Sequence, residues 1–215
     1  MLKRYPFSFE IAGRLAIFRN PTSSPNSTSY PVPTISAIEG WIKSISMIPT
    51  AQAIVESVHI CAPFKYVQLV FNNTTSSRKM VNIKAGNTEQ YSAYCLSDVC
   101  YQVNAYTERA PEIPKAYAQY DNRDNTAHFY QERLLSRIEN GQSYSIPFLG
   151  WREFTSNYFG VIRPETKTFE IDLEINMLVK TFSRFFRGEW KPVFDTVKVK
   201  QGIIHYGDMA RKLNV

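Results

Sequence analysis

Apolar and polar residues alternate strictly through Phe7-Ser8-Phe9-Glu10-Ile11, and a period of two predicts a half-buried strand. Ala12 to Arg19 continues it, with Gly13 read as a bulge. A Pro/Ser/Thr/Asn loop fills positions 20–29. Two prolines then hold Tyr30-Pro31-Val32-Pro33 extended, because a residue before proline is pushed out of the helical region. From there the period turns helical: Ile35, Ile38, Trp41, Ile42 and Ile45 make one apolar stripe. Thr34 or Ser36 can cap this helix, and Ser36 with Glu39 has capping-box spacing. Glu39 and Lys43 fit an i,i+4 ion pair on the opposite face. Gly40 costs the helix about 1 kcal/mol relative to alanine. It marks either a helix-packing contact or a ligand passing close to the backbone.

Further along, Ala53 to Cys61 is rich in β-branched residues and predicts a strand. Lys65 to Phe71 and Arg78 to Lys84 predict a hairpin around the turn-rich segment 72–77, with Arg78, Lys79 and Lys84 along one arm. Lysines keep an edge hairpin soluble, and the same cations fit a basic finger laid on a phosphate backbone. Val99 to Tyr106 alternates again, Asn125 to Asn140 is helical, and Phe148 to Phe154 reads as a strand. This order suits an α+β chain with a ferredoxin-like or RRM-like sheet carrying an inserted basic hairpin. Past Phe159 the pattern changes. Lys167 to Met177 alternates with Phe169, Ile171, Leu173, Ile175 and Met177 inward, and Val193 to Tyr206 predicts a hairpin around Gln201-Gly202. The expected organisation is a first domain over residues 1–158 and a small C-terminal antiparallel β-unit over 159–215.

Composition narrows the classes. Of 215 residues, 44% are hydrophobic, which excludes a disordered chain. A formal net charge of +6 points toward polyanions, and 14% aromatic residues add stacking capacity. Three cysteines without metal spacing, and only three histidines, predict reduced thiols, no metal site and no cofactor. No signal peptide or membrane-length apolar run is visible, so a cytoplasmic protein away from the membrane is expected.

Three places carry candidate chemistry. His128 stands in the first turn of a helix, whose positive end disfavours protonation; a neutral imidazole there can act as a general base, or be merely exposed or packed. Gly150 lets the backbone approach a ligand closely, and Arg152 suits bidentate phosphate contact unless it answers Glu153. Lys180, Arg184, Arg187 and Lys191 share a face if their stretch is helical, interleaved with Phe182, Phe185, Phe186 and Trp190. Such a stretch fits single-stranded RNA, or an amphipathic helix with a buried aromatic side.

The sequence also resembles the Cas-five proteins of type I CRISPR systems, especially the type I-C kind. The resemblance is carried by Ser29-Tyr30-Pro31-Val32-Pro33-Thr34 leading to Gly40, by Thr126-Ala127-His128, by Gly141-Gln142, and by Leu149-Gly150-Trp151-Arg152-Glu153. It implies a RAMP fold and a subunit of the Cascade surveillance complex that binds the 5′ handle of CRISPR RNA. Its implied partners are Cas-seven and large-subunit proteins, with target DNA reached indirectly. RNA contacts would come from Arg14, Tyr30, Thr34, Gly40, Lys43, Arg78, Lys79, Gly150 and Arg152. The resemblance further implies metal-independent repeat cleavage, with His128 as the base taking the 2′-hydroxyl proton. Family catalysis is attributed to a tyrosine and a lysine as well, and those positions here are Ser46 and Ala127. Serine is too weak an acid to replace a phenol, and alanine brings no charge to the phosphorane. Lys43, Tyr130, Lys115 or Arg123 are the available substitutes. The expectation is therefore a handle binder, with repeat cleavage as the alternative.

Overall fold

The computed structural model describes residues 3–23, 26–74, 80–86, 88–121, 125–184 and 190–206. Strand β1 (Tyr5–Ala16) pairs with the far half of the 22-residue β5 (Thr88–Arg109) in an unbroken antiparallel register, Phe9 opposite Val103. β3 (Ala51–Ile60) lies on the other side of β5, and β6 (Tyr158–Gly160) on the other side of β1, giving the antiparallel order β6-β1-β5-β3. Helices α1 (Ile35–Ile45) and α3 (Thr126–Glu139) cover one face of these four strands. Phe9, Ile11, Val58, Tyr101 and Val103 point into that layer and are buried against the α1 stripe and Leu134.

Alternation explains the near half of β5 as well. β4 (Tyr66–Thr74) pairs with Thr88–Leu96, and the two-residue β2 (Ser27–Thr28) runs parallel to it at Ala93–Tyr94. The inserted hairpin thus exists, but its second arm is β5. Met80–Lys84 is a short helix, α2, rather than a strand. Arg78 and Lys79 lie outside the described residues. Asp98, at φ 53°, sits where β5 exchanges β4 for β3 as its neighbour.

The C-terminal strands β7 (Leu173–Arg184), β8 (Trp190–Lys200) and β9 (Ile203–His205) are antiparallel, and β9 pairs with β3, so the sheet continues as β3-β9-β8-β7. Inward alternation holds at Ile175 but not through Met177, which is exposed at φ 60° where the β7–β8 register shifts. Leu178 and Val179 then turn inward. Phe169 is likewise partly exposed, in a segment preceding β7. Lys180 to Lys191 is not helical where described: β7 and β8 extend into it, and Phe185, Phe186 and Arg187 lie outside the described residues.

Residues 161–172 cross the face of the sheet away from the helices. Arg163 donates to Glu10 from its backbone N (3.1 Å), its Nε (2.7 Å) and its Nη2, and Thr166 Oγ1 adds a further donor at 3.1 Å. Gln102 Nε2 reaches Thr166 O, and His59 Nδ1 lies 3.2 Å from Thr168 Oγ1. Glu10, outward in the strand pattern, is therefore fully buried. Burial alone would raise its carboxyl pKa; the Arg163 and Thr166 donors outweigh that and hold it below the ordinary value.

Candidate nucleic-acid interface

Phe148 to Thr155 is a tight loop closed by a Phe148–Thr155 bridge, not the strand its apolar residues predicted. Leu149 O accepts from Ile17 N at 2.9 Å, Leu149 N donates to Phe154 O at 2.7 Å, and Trp41 Nε1 donates to Phe148 O at 2.9 Å. Two glycines make room for this seating. A Cβ on Gly13 would stand 2.3 Å from Leu149 Cδ1, so Gly13 admits the loop rather than forming a bulge. Gly150 has φ +99°, and a Cβ there would stand 1.8 Å from Ile17 O. No L side chain fits that place.

Seated this way, the loop faces α1 across a cleft of about 330 Å³. Gly40 and Gly150 line it together with Thr34, Ser36, Arg19 and Trp151. Gly40 meets nothing within 4 Å at its absent Cβ, so of the two readings its openness toward the cleft stands and helix packing does not. Thr34 is the helix cap: its hydroxyl accepts from Ala37 N at 3.3 Å and lies 3.0 Å from Ser36 Oγ, so the Ser36–Glu39 box is not formed. The capping hydroxyl is committed to the helix. Arg152 is exposed and makes no ion pair with Glu153 or with any other described residue.

Across α1 a second cleft, of about 420 Å³, is lined by Ser36, Glu39, Lys43, Met47, Tyr130 and Lys180. Ser36 and Val179 border both clefts, so the two are contiguous around the helix. Lys43 sits 3.6 Å from Glu39, as its spacing predicted, and Lys180 sits 3.6 Å from Asp195. Lys180 stands on the strand β7 and not on the helix its sequence allowed, and it lines this cleft with Lys43, a juxtaposition that depends on β7 lying across from α1 and leaves no trace in local pattern.

The positions matched to family catalysis are plain in the structure. Ser46 caps the C-terminus of α1 and is buried, with an Oγ that has no hydrogen-bond partner among the described residues. Ala127 is buried under Thr107, whose hydroxyl donates to Ala127 O at 2.7 Å. His128 is half-exposed, its ring centroid 5.0 Å from that of Tyr5 and its Nε2 3.6 Å from Glu132. Tyr130 places a phenol at Ser46, donating to Ser46 O at 2.7 Å. That phenol is buried, and burial pushes its pKa well up, which removes it as an acid or a base.

Other expected residues fall apart from the Gly40 cleft. Tyr30 is interior; its hydroxyl donates to Met177 O at 2.6 Å and its ring is packed in the core, not offered to a ligand. Arg14 is exposed on the far side of the 148–155 loop, in a separate cleft shared with Asp98 and Glu153. His128 lines neither cleft beside α1. Among the described residues no group of three or more His, Cys, Asp and Glu could hold a metal ion, and no helix is long and apolar enough to cross a membrane.

Comparison with known proteins matches residues 8–181 to the family described as CRISPR-associated protein (Cas_Cas5). A relative from Thermus thermophilus, the CRISPR pre-crRNA endoribonuclease Cas5d, is 24% identical over 213 residues, covering 90% of this chain and 87% of that protein. Two crystal structures share the fold at 21% identity. One is of a CRISPR-associated protein (TM-score 0.67, 95% of this chain and 93% of the other). The second is of SMU1763c, a functionally uncharacterized protein from Streptococcus mutans (TM-score 0.68, 95% and 94%).

Proposed function

Because the chain belongs to the CRISPR-associated Cas5 family, we propose that it is the subunit of a type I Cascade complex that binds the 5′ handle of CRISPR RNA. Its partners would be Cas-seven and large-subunit proteins, with target DNA met through the assembly. The antiparallel order β6-β1-β5-β3, with α1 and α3 on one face, supports reading its core as the ferredoxin-like RAMP domain, extended by β7 to β9. The observation that carries the reading is the cleft between Gly40 and Gly150. Gly40, open at its absent Cβ, lines one side, and the loop held by Gly150 against Ile17 lines the other, with Arg19 on the rim and Arg152 on the loop beside it. A polyanionic strand can approach the Gly40 backbone there while the guanidiniums neutralise its phosphates.

The second reading is repeat cleavage, favoured by the pre-crRNA endoribonuclease among its relatives and by the half-exposed His128. Against it stand a buried Ser46 and a buried Ala127, which supply neither a phenol nor a cation. Losing one oxyanion-type donor costs on the order of 10²–10³-fold in rate. Incubation of the purified protein with RNA of its own repeat sequence in EDTA tests the choice. Bound, intact RNA is expected. Cleavage that vanishes in His128→Ala would establish the second reading instead.

A further inference from the structure

The loop that seats Arg152 also folds Trp151 against three other rings. Its centroid lies 5.5 Å from that of Phe154, 5.8 Å from Phe71 on β4 and 6.4 Å from Tyr91 on β5. Phe71 and Tyr91 are direct cross-strand partners, so the β4–β5 hairpin presents them as a pair. Ring planes meet at 31° to 61°, so Trp151 lies face to face with none of the three. The four rings and Glu153 line an open pocket of about 510 Å³. Phe71 is 37% exposed there, far from any role in the core.

We propose that this pocket takes one unpaired base of an RNA strand, stacked on the exposed Phe71 ring with Trp151 against its edge, while Arg152 outside it neutralises a phosphate. The inference rests on the RNA-binding reading above and extends it to a site of its own. Flat apolar walls recognise the face of any base, whereas the polar edges of a base need a partner, and Glu153 is the acceptor within reach of that pocket. The pocket therefore favours a base that presents an amino group. Continuity supports a nucleic acid over a peptide. Trp151 lines both this pocket and the Gly40–Gly150 cleft, so the two adjoin and a strand lying in the cleft can extend a base over the rings. Arg152, exposed on the loop between Trp151 and Glu153, supplies the charge complement for the connecting phosphate, and the chain as a whole is +6.

The test uses the full-length protein and a short single-stranded RNA of its repeat's handle sequence, with 2-aminopurine placed at one position at a time. Stacking quenches that fluorophore, so quenching at one position is expected. Phe71→Leu keeps an apolar side chain without a π face, and Trp151→Ala removes the central ring. Each should weaken binding by roughly 5- to 150-fold, the equivalent of one stacked base, and relieve the quenching. The salt dependence should be unchanged, because neither ring carries charge. If Trp151→Ala does not fold, the surface variant Phe71→Leu decides alone. Wild-type binding with no quenched position and no effect of Phe71→Leu would overturn the pocket and leave the RNA-binding reading intact. Failure of the wild type to bind at low salt would overturn that reading first. Normal RNA binding by Phe71→Leu with loss of its assembly into a complex would give the pocket to a protein side chain and overturn the proposal.

Discussion

The hydroxyl of Tyr130 on α3 donates to the backbone oxygen of Ser46 at 2.7 Å, tying the middle of the sheet's second covering helix to the end of its first. Arg137 repeats the tie two turns on, with Nη1 donating to Ile45 O at 2.6 Å. The Tyr130 phenol thus holds helices together. Tyr130→Phe should lower stability by about 1–2 kcal/mol, because a buried carbonyl loses its donor. Urea unfolding would report this as a lower midpoint at unchanged slope. RNA affinity should not change.

Ser46 itself carries a buried hydroxyl with no partner among the described residues. Burying a polar group unpaired is unfavourable, so Ser46→Ala should be neutral or stabilising by up to about 1 kcal/mol. A thermal melt checks it. A clear loss of stability would mean that the hydroxyl has a partner in solution.

Gly40 and Gly150 should respond oppositely to alanine. Gly150→Ala places a methyl against Ile17 O at a left-handed backbone, and should cost roughly 2 kcal/mol or more. Gly40→Ala adds a helix-favouring side chain in open space and should gain up to about 1 kcal/mol. Chemical denaturation of the two variants side by side measures the contrast.

Glu10 gives a pH dependence. Its folded pKa lies below the ordinary carboxyl value, so the unfolded chain takes up the proton first as pH falls. The stability it contributes is complete above the ordinary glutamate range, near pH 4–5, and is lost as pH drops through the depressed value. Glu10→Gln should be less stable at neutral pH and should show a flatter loss between about pH 5 and pH 3. Unfolding curves across that interval provide the check.

Much of this was written in the chain. The α1 stripe, α3, β3 and the β8–β9 hairpin follow from local period, because each has one face against the core. Met80–Lys84 did not, since a short apolar-polar run fits a strand or one helical turn equally well. Phe148 to Phe154 read as a strand because its apolar residues are buried by a loop that long-range contacts seat on Ile17 and Trp41. Glu10 looked like a surface residue because its cover, Arg163, lies 153 positions away. At the site, glycines and a lone arginine were legible through their chemistry. The aromatic pocket was not, since Phe71, Tyr91 and Trp151 come from three separate segments.

Phosphate contact should appear as charge. For a single strand, each neutralised phosphate contributes about 0.7 to the slope of log affinity against log salt. Arg152→Ala and Lys43→Ala should each lower that slope by about this amount, Arg152 because it is exposed and makes no ion pair among the described residues, and Lys43 because its exposed pair with Glu39 is weak. Filter binding at several salt concentrations separates them from the ring variants, which leave the slope alone.

The central claim is that handle RNA lies in the Gly40–Gly150 cleft, and Gly40→Leu tests it most directly, because its Cβ meets nothing within 4 Å and the larger side chain enters a position that lines the cleft. Equilibrium titration with handle-sequence RNA should show the wild type binding tightly and Gly40→Leu binding at least about tenfold more weakly, at unchanged melting temperature or above. Equal affinity of the two proteins for that RNA would contradict the account.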